Sequence, residues 1–181
     1  IAARMAAVRQ NEPEASLAAV AARDIGRAQA FAGQLAGKSG EMPRAYGSYE
    51  ELAADDGVDA VYVATIHPTH AALVKLCLRA GKAVLCEKPL VPLLEDIAPL
   101  EDAMKSSGHR IGVGFQWSFS NVMLALKRDI LAGRYGRLRR MKAMVSFPRG
   151  NTYYASSTWK GRVRDTAGQT VMDSIVTNAA S

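Results

Sequence analysis

The chain has 181 residues, a formal net charge of +6, 49% hydrophobic residues and 22% charged ones. That apolar content excludes a disordered chain, and no apolar run approaches the 20 or so residues of a membrane-spanning helix. Two cysteines, Cys77 and Cys86, are too few for a disulfide framework and fit a reducing, cytoplasmic interior.

Ile1, Met5 and Val8 stand at helical spacing, so residues 1–11 read as the end of a helix. The chain is expected to be a fragment of a larger protein. Residues 16–22 (SLAAVAA) read as a short buried strand. Asp24 is placed to cap a helix over 27–36, and 37–44 read as loop. Ser48 and Glu51 have the spacing of a capping box, opening a short helix that ends near Asp55. Residues 58–64 (VDAVYVA) form a near-continuous apolar run, as expected of a strand covered on both faces. Residues 65–69 read as loop. Pro68 suits the first turn of a helix that continues from His70 to Ala80 and closes at Gly81. Residues 83–86 are the next strand. Glu87, Lys88 and Pro89 make a tight exit from it, with a cis bond open to Pro89. Residues 93–107 are helical in composition, with a kink expected at Pro99. Residues 111–115 are a strand.

Strand and helix thus alternate from 16 to 115, the pattern of a parallel sheet with right-handed crossovers. After Ser120 the pattern changes. Residues 122–131 read as a helix broken by Gly133 and Gly136. Residues 138–147 alternate roughly with period two, predicting a strand with one wet face in a mostly antiparallel sheet. The expected organisation is an α/β domain over 1–116 and the start of an α+β domain over 117–181.

Charge follows this division. Residues 1–129 hold 14 basic and 15 acidic side chains, whereas 130–164 hold nine basic ones and no acidic one. A solvated face, an anionic small molecule and a nucleic acid backbone all fit such a stretch. The absence of aromatic interleaving, helix-turn-helix pattern or zinc spacing argues against nucleic acid.

Open α/β sheets bind ligands at the carboxyl ends of their strands. Four polar or flexible clusters fall there: Arg23-Asp24, Thr65 to His70, Glu87-Lys88-Pro89 and Gln116 to Ser120. The chain has no G-x-G-x-x-G, Walker A, H-E-x-x-H, C-x-x-C or G-x-S-x-G motif. His67 and His70 are three apart, but no third ligand has metal-site spacing.

Three segments carry a resemblance. Residues 60–70 (AVYVATIHPTH), 80–90 (AGKAVLCEKPL) and 46–52 (YGSYEEL) together resemble the Gfo/Idh/MocA family of NAD(P)-dependent oxidoreductases. The likeness covers nearly the whole chain, in order. It implies a Rossmann-like parallel sheet whose glycine-rich first turn precedes Ile1, followed by a C-terminal sheet domain. It implies NAD or NADP as cofactor, a small-molecule sugar or polyol as substrate, and a homo-oligomer, dimer or tetramer.

The resemblance places Lys88 beside the nicotinamide and the substrate hydroxyl, where a desolvated lysine can relay the hydroxyl proton. It gives Glu87 the orientation of Lys88 or contact with the cofactor ribose. Thr65, His67 and Pro68 are expected to line the cofactor groove. Asp173 is the second catalytic candidate. The family pattern often has a histidine four positions later, but Thr177 stands there, so a catalytic histidine is expected beyond Ser181 or is absent. Asn178 is a candidate for a polyol hydroxyl. Gln116, Trp117, Tyr154, Trp159 and Arg162, with Tyr153 and Lys160 beside them, form a polar–aromatic set suited to a sugar or cyclic polyol. Arg23 follows the strand where NAD sites usually place an acid, and a guanidinium there suits a 2′-phosphate. Asp24 opposes that lean towards NADP unless it only caps the helix. His70 reads as a cap or first-turn residue.

Two other functions stay open on the sequence: a catalytically silent, cofactor-binding relative, motivated by Thr177, and a nucleic-acid binder through 134–164.

Overall fold

The computed structural model describes residues 16–142, 144, 146 and 148–171. The helix end expected over 1–11, and Asp173 and Asn178, lie outside the described residues. The chain gathers into two compact units that interleave along it. The first takes residues up to Tyr62, Ala72–Val84 and Asp102–Ile111; the second takes Val63–Ala71, Leu85–Glu101 and residues from Gly112 onward.

In the first unit, β1 (Ala19–Ala21) pairs in parallel with β2 (Arg44–Tyr46), Val20 lying opposite Ala45. The expected strand over 16–22 is therefore present but short. Between the two strands runs α1 (Ile25–Ser39). Asp24 caps it: the Arg27 N–H donates to Asp24 Oδ1 at 2.8 Å, satisfying one of the four orphan donors of a helix start. Ala28, Ala32 and Leu35 recur on one helix face. Ala32 and Leu35 bury against Val20, with Leu17 and Ala45 packed around them. The next helix, α2 (Tyr49–Ala54), starts as the capping box predicts, with the Glu51 N–H donating to Ser48 Oγ at 3.1 Å.

Asp55 ends α2 and gathers five donors within this unit. Its carboxylate accepts from the Tyr46 hydroxyl at 2.9 Å and the Gly57 N–H at 2.8 Å, and pairs with Arg44 at 2.7 Å. Its carbonyl accepts from Lys82 Nζ at 2.9 Å and from the Val58 N–H at 3.1 Å. The Gly57 N–H contributes most to holding the carboxyl below the usual aspartate range.

β3 (Ala60–Val63), β4 (Ala83–Cys86) and β5 (Ile111–Val113) form a sheet in the order β3-β4-β5. The Ala83 N–H donates to Asp59 O at 3.1 Å and the Glu87 N–H to Val63 O at 2.8 Å. The residue offset is the same at both ends of the strand pair, which is parallel pairing. A 3-10 turn (His67–Thr69) and α3 (His70–Arg79) connect β3 to β4. Gly81 closes α3 at φ +72. Its N–H donates to Leu78 O at 3.0 Å, and the Lys82 N–H reaches Cys77 O at 2.9 Å, the two-bond closure that favours glycine at this place. Both cysteines are free and buried, and burial pushes the Cys77 thiol up.

α4 (Ile97–Ser107) connects β4 to β5 and corrects the reading of Pro99. Pro99 is the third residue of α4, within the first turn. A proline there forfeits no intrahelical hydrogen bond and breaks nothing.

In the second unit α5 (Asn121–Leu131) is capped by Ser120 Oγ, which accepts from the Met123 N–H at 3.3 Å, and α6 (Asn151–Ala155) is a short addition. The strand expected over 138–147 does not form among its described residues, and the antiparallel sheet expected with it is not seen there. The antiparallel pairing in this region is an isolated bridge between Arg164 and Thr170. Leu138 and Met144, which a period-two strand would put on one face, are exposed, Met144 at 99%, and so is Met141 on the other. Alternation of side chains makes a strand only where a neighbouring strand takes up its backbone groups, and no described strand lies alongside. Among the described residues, no helix is long and apolar enough to cross a membrane.

Candidate active site

Four of the chain's polar clusters follow strand ends. Arg23-Asp24 follows β1, Thr65 follows β3, Glu87-Lys88-Pro89 follows β4 and Gln116 follows β5. Within the second unit the carboxyl ends of three strands are tied together. The Glu87 N–H donates to Val63 O, and the Gly114 N–H donates to Cys86 O, both at 2.8 Å. Glu87 and Lys88 therefore leave the central strand of the three. Both are half-buried, and the Lys88–Pro89 peptide is cis. The Glu87 carboxylate turns back on the chain and accepts from the Lys88 N–H at 3.2 Å. Gly114 leaves room for it: a Cβ there would stand 3.3 Å from Glu87 Oε2.

The loop after β3 is held by its own hydroxyls. Thr69 Oγ1 donates to Ile66 O at 2.8 Å. Its single proton is then spent, so the 2.6 Å contact between the two hydroxyls runs from Thr65 to Thr69. Pro68 sits in the 3-10 turn, where its missing N–H costs nothing. His70 begins α3 and is fully buried. Its Nδ1 lies 2.7 Å from Pro89 O and its Nε2 3.0 Å from Thr65 O. The spacing of His67 and His70 marked the pair, but the chain gives no sign that His70 spans two segments.

Trp159 reaches this loop from far along the sequence. Its ring meets His67 edge-on, with centroids 5.0 Å apart. Tyr154 packs against Tyr153 at 5.2 Å, and Arg149 and Lys160 both approach the Tyr153 ring, at 4.4 and 4.5 Å. Gly161, at φ +72, is needed beside them, because a Cβ would come within 2.8 Å of the Tyr154 ring. Gln116 and Trp117 lie in the 3-10 turn after β5 and are exposed, Trp117 at 60%. Arg162 is exposed as well. Trp159 is thus an aromatic candidate in ring contact with the β3 loop.

Residues 1–115 match the oxidoreductase family with an NAD-binding Rossmann fold. The chain belongs to that family. A trans-1,2-dihydrobenzene-1,2-diol dehydrogenase of Mus musculus is 41% identical over 134 residues, covering 74% of this chain and 39% of the mouse protein. The chain thus spans well under half the length of that relative. Among solved structures, the WlbA dehydrogenase from Bordetella pertussis, in complex with NADH and UDP-GlcNAcA, is 25% identical with a TM-score of 0.74. The alignment covers 89% of this chain and 47% of that one. KijD10, a 3-ketoreductase from Actinomadura kijaniata solved with NADP and TDP-benzene, is 26% identical with a TM-score of 0.59, covering 71% and 38%.

The family's nicotinamide dinucleotide fits the residues present. The strand ends carry hydroxyl, imidazole and ammonium groups, and the Glu87 carboxylate lies where a Cβ on Gly114 would crowd it. In the first unit Arg23 is exposed directly after β1, while Asp24 is engaged by the Arg27 N–H as a helix cap. The carboxylate that opposed a 2′-phosphate thus has a structural use of its own.

Proposed function

We propose that the whole protein is an NAD(P)-dependent dehydrogenase or reductase acting on a sugar, inositol or related polyol, or its keto form. The mouse relative's name adds cyclic vicinal diols to that class. Residues 1–116 are its cofactor domain, in part, and 117–181 the start of its substrate and oligomerisation domain. The observation that carries the reading is the placement of Lys88, half-buried, at the carboxyl end of the central strand of β3-β4-β5.

The cofactor, when bound, takes up or supplies the hydride. Lys88 holds the reacting hydroxyl and takes its proton on Nζ as the carbinol is oxidised, or returns it in reduction. Glu87 keeps the Lys88 backbone in place through its own carboxylate. Thr65, His67 and Pro68 line the cofactor groove. Trp159, with Trp117, Tyr154, Gln116 and Arg162, shapes the substrate side. Asp173 and Asn178 complete it in this reading. Arg23, with Asp24 spent on the helix, favours NADP. The two free, buried cysteines are in keeping with a cytoplasmic protein.

The test is Lys88→Ala in the whole protein. General acid–base catalysis contributes about 100-fold or more, so turnover is expected to fall by that much while cofactor affinity stays within about threefold. Equal losses in both would refute the role given to Lys88.

A further inference from the structure

His70 is the fully buried polar side chain among the described residues at the strand ends, and both of its ring nitrogens face backbone carbonyls. Thr65 O and Pro89 O can only accept. A neutral imidazole has one N–H, so it would satisfy one carbonyl and turn a lone pair on the other. A ring carrying a proton on each nitrogen donates to both. The two distances, 2.7 and 3.0 Å, are donor–acceptor distances of ordinary hydrogen bonds. The start of α3 opposes positive charge at this place. His67, edge-on with centroids 5.8 Å away, is the titratable ring next to it. Bonds from a charged donor to carbonyls are of the stronger kind.

The two carbonyls belong to the segments that matter here. Thr65 opens the loop after β3, and Pro89 directly follows Lys88. We propose that His70 is a positioning residue for Lys88: its ring donates from both nitrogens and clamps the Thr65 and Pro89 backbones at a fixed separation. The clamp acts on the catalytic lysine only through the main chain. This rests on the reading of Lys88 given above.

Two measurements test it. In protein labelled with 15N-histidine, the His70 ring is expected to show a proton on each nitrogen; a bare nitrogen overturns the clamp. His70→Phe keeps a ring of similar bulk and removes both donors. It is expected to lower kcat about tenfold with KM and cofactor affinity within about twofold, and to lower turnover no further in a Lys88→Ala background, as for residues that act as one unit. An equal loss in both backgrounds marks a general structural role and overturns the proposal. If His70→Phe does not fold, His70→Gln, whose donors sit on a single nitrogen and cannot span both carbonyls as the ring does, enters the same cycle. Undiminished turnover of Lys88→Ala alone defeats the reading of Lys88, whereas the ring nitrogens decide the clamp without reference to activity.

Discussion

The hydroxyl of Thr65 donates to that of Thr69, 2.6 Å away, and Thr69 in turn donates to the carbonyl of Ile66. Each hydroxyl has one proton, so the relay has one direction. The loop after β3 is thus tied from inside, in addition to its contacts with Trp159 and Pro89.

Thr69→Val keeps the side chain's shape and breaks both bonds of the relay. The loop is proposed to line the cofactor groove, so its loosening should appear in binding. A hydrogen bond is worth about 1 kcal/mol net, which is about fivefold in affinity. Calorimetry with NAD(P) should show that loss, with a shift of no more than a few degrees in Tm. Unchanged affinity would remove Thr65 and Thr69 from the groove.

Arg23 and Asp24 are adjacent and have separate work. Arg23→Ala should weaken NADP about tenfold, the size of a lost charge-assisted contact, and leave NAD within about twofold. Asp24→Ala should instead cost about 1 kcal/mol of stability by removing the cap, without altering the choice between the two cofactors. Comparing both variants against both cofactors separates selectivity from folding. Parallel losses of NAD and NADP in Arg23→Ala would speak for adenine stacking rather than phosphate recognition.

Asp55 gives the first unit an acid limit. Its carboxyl is held below the ordinary range in the folded chain, chiefly by the Gly57 N–H, with Tyr46 and Arg44 assisting against the opposing effect of burial. A carboxyl depressed on folding contributes stability that is present above its unfolded pKa and lost as pH falls through the folded one. Tm should therefore decline as pH drops below the ordinary aspartate range. Asp55→Asn should be less stable at neutral pH and show a flatter acid limb. An unaltered limb in that variant would assign the acid transition to other carboxylates.

Local chemistry was legible in the chain, and long-range pairing was not. The caps at Asp24 and Ser48, the glycine closure of α3 and the β4 strand each depend on residues within a few positions, and each stands where the residue types predict. β2 was missed because three residues, Arg44 to Tyr46, carry no pattern of their own and become a strand only through β1. Pro99 was misread because its effect depends on where the helix begins, which nearby residues leave open by a turn. The alternation over 138–147 announced a strand but could not supply a partner for it. At the candidate site, Glu87-Lys88-Pro89 and the threonine–histidine loop were visible as segments. The ring of His70 was not, since its partners lie five and 19 residues away.

The edge contact between His67 and Trp159 has an optical consequence. The half-buried indole sits against the loop proposed to hold the cofactor, whereas the chain's other tryptophan, Trp117, is open to solvent. With Trp117→Phe this chain keeps one tryptophan, Trp159, at that loop. Its fluorescence intensity should change when NAD(P) is titrated in, and His67→Ala should alter the starting signal before any ligand is added. A flat titration in a variant that binds cofactor by calorimetry would place Trp159 out of earshot of the groove. A responsive one turns a packing contact into a built-in gauge of loop position, with no dye attached.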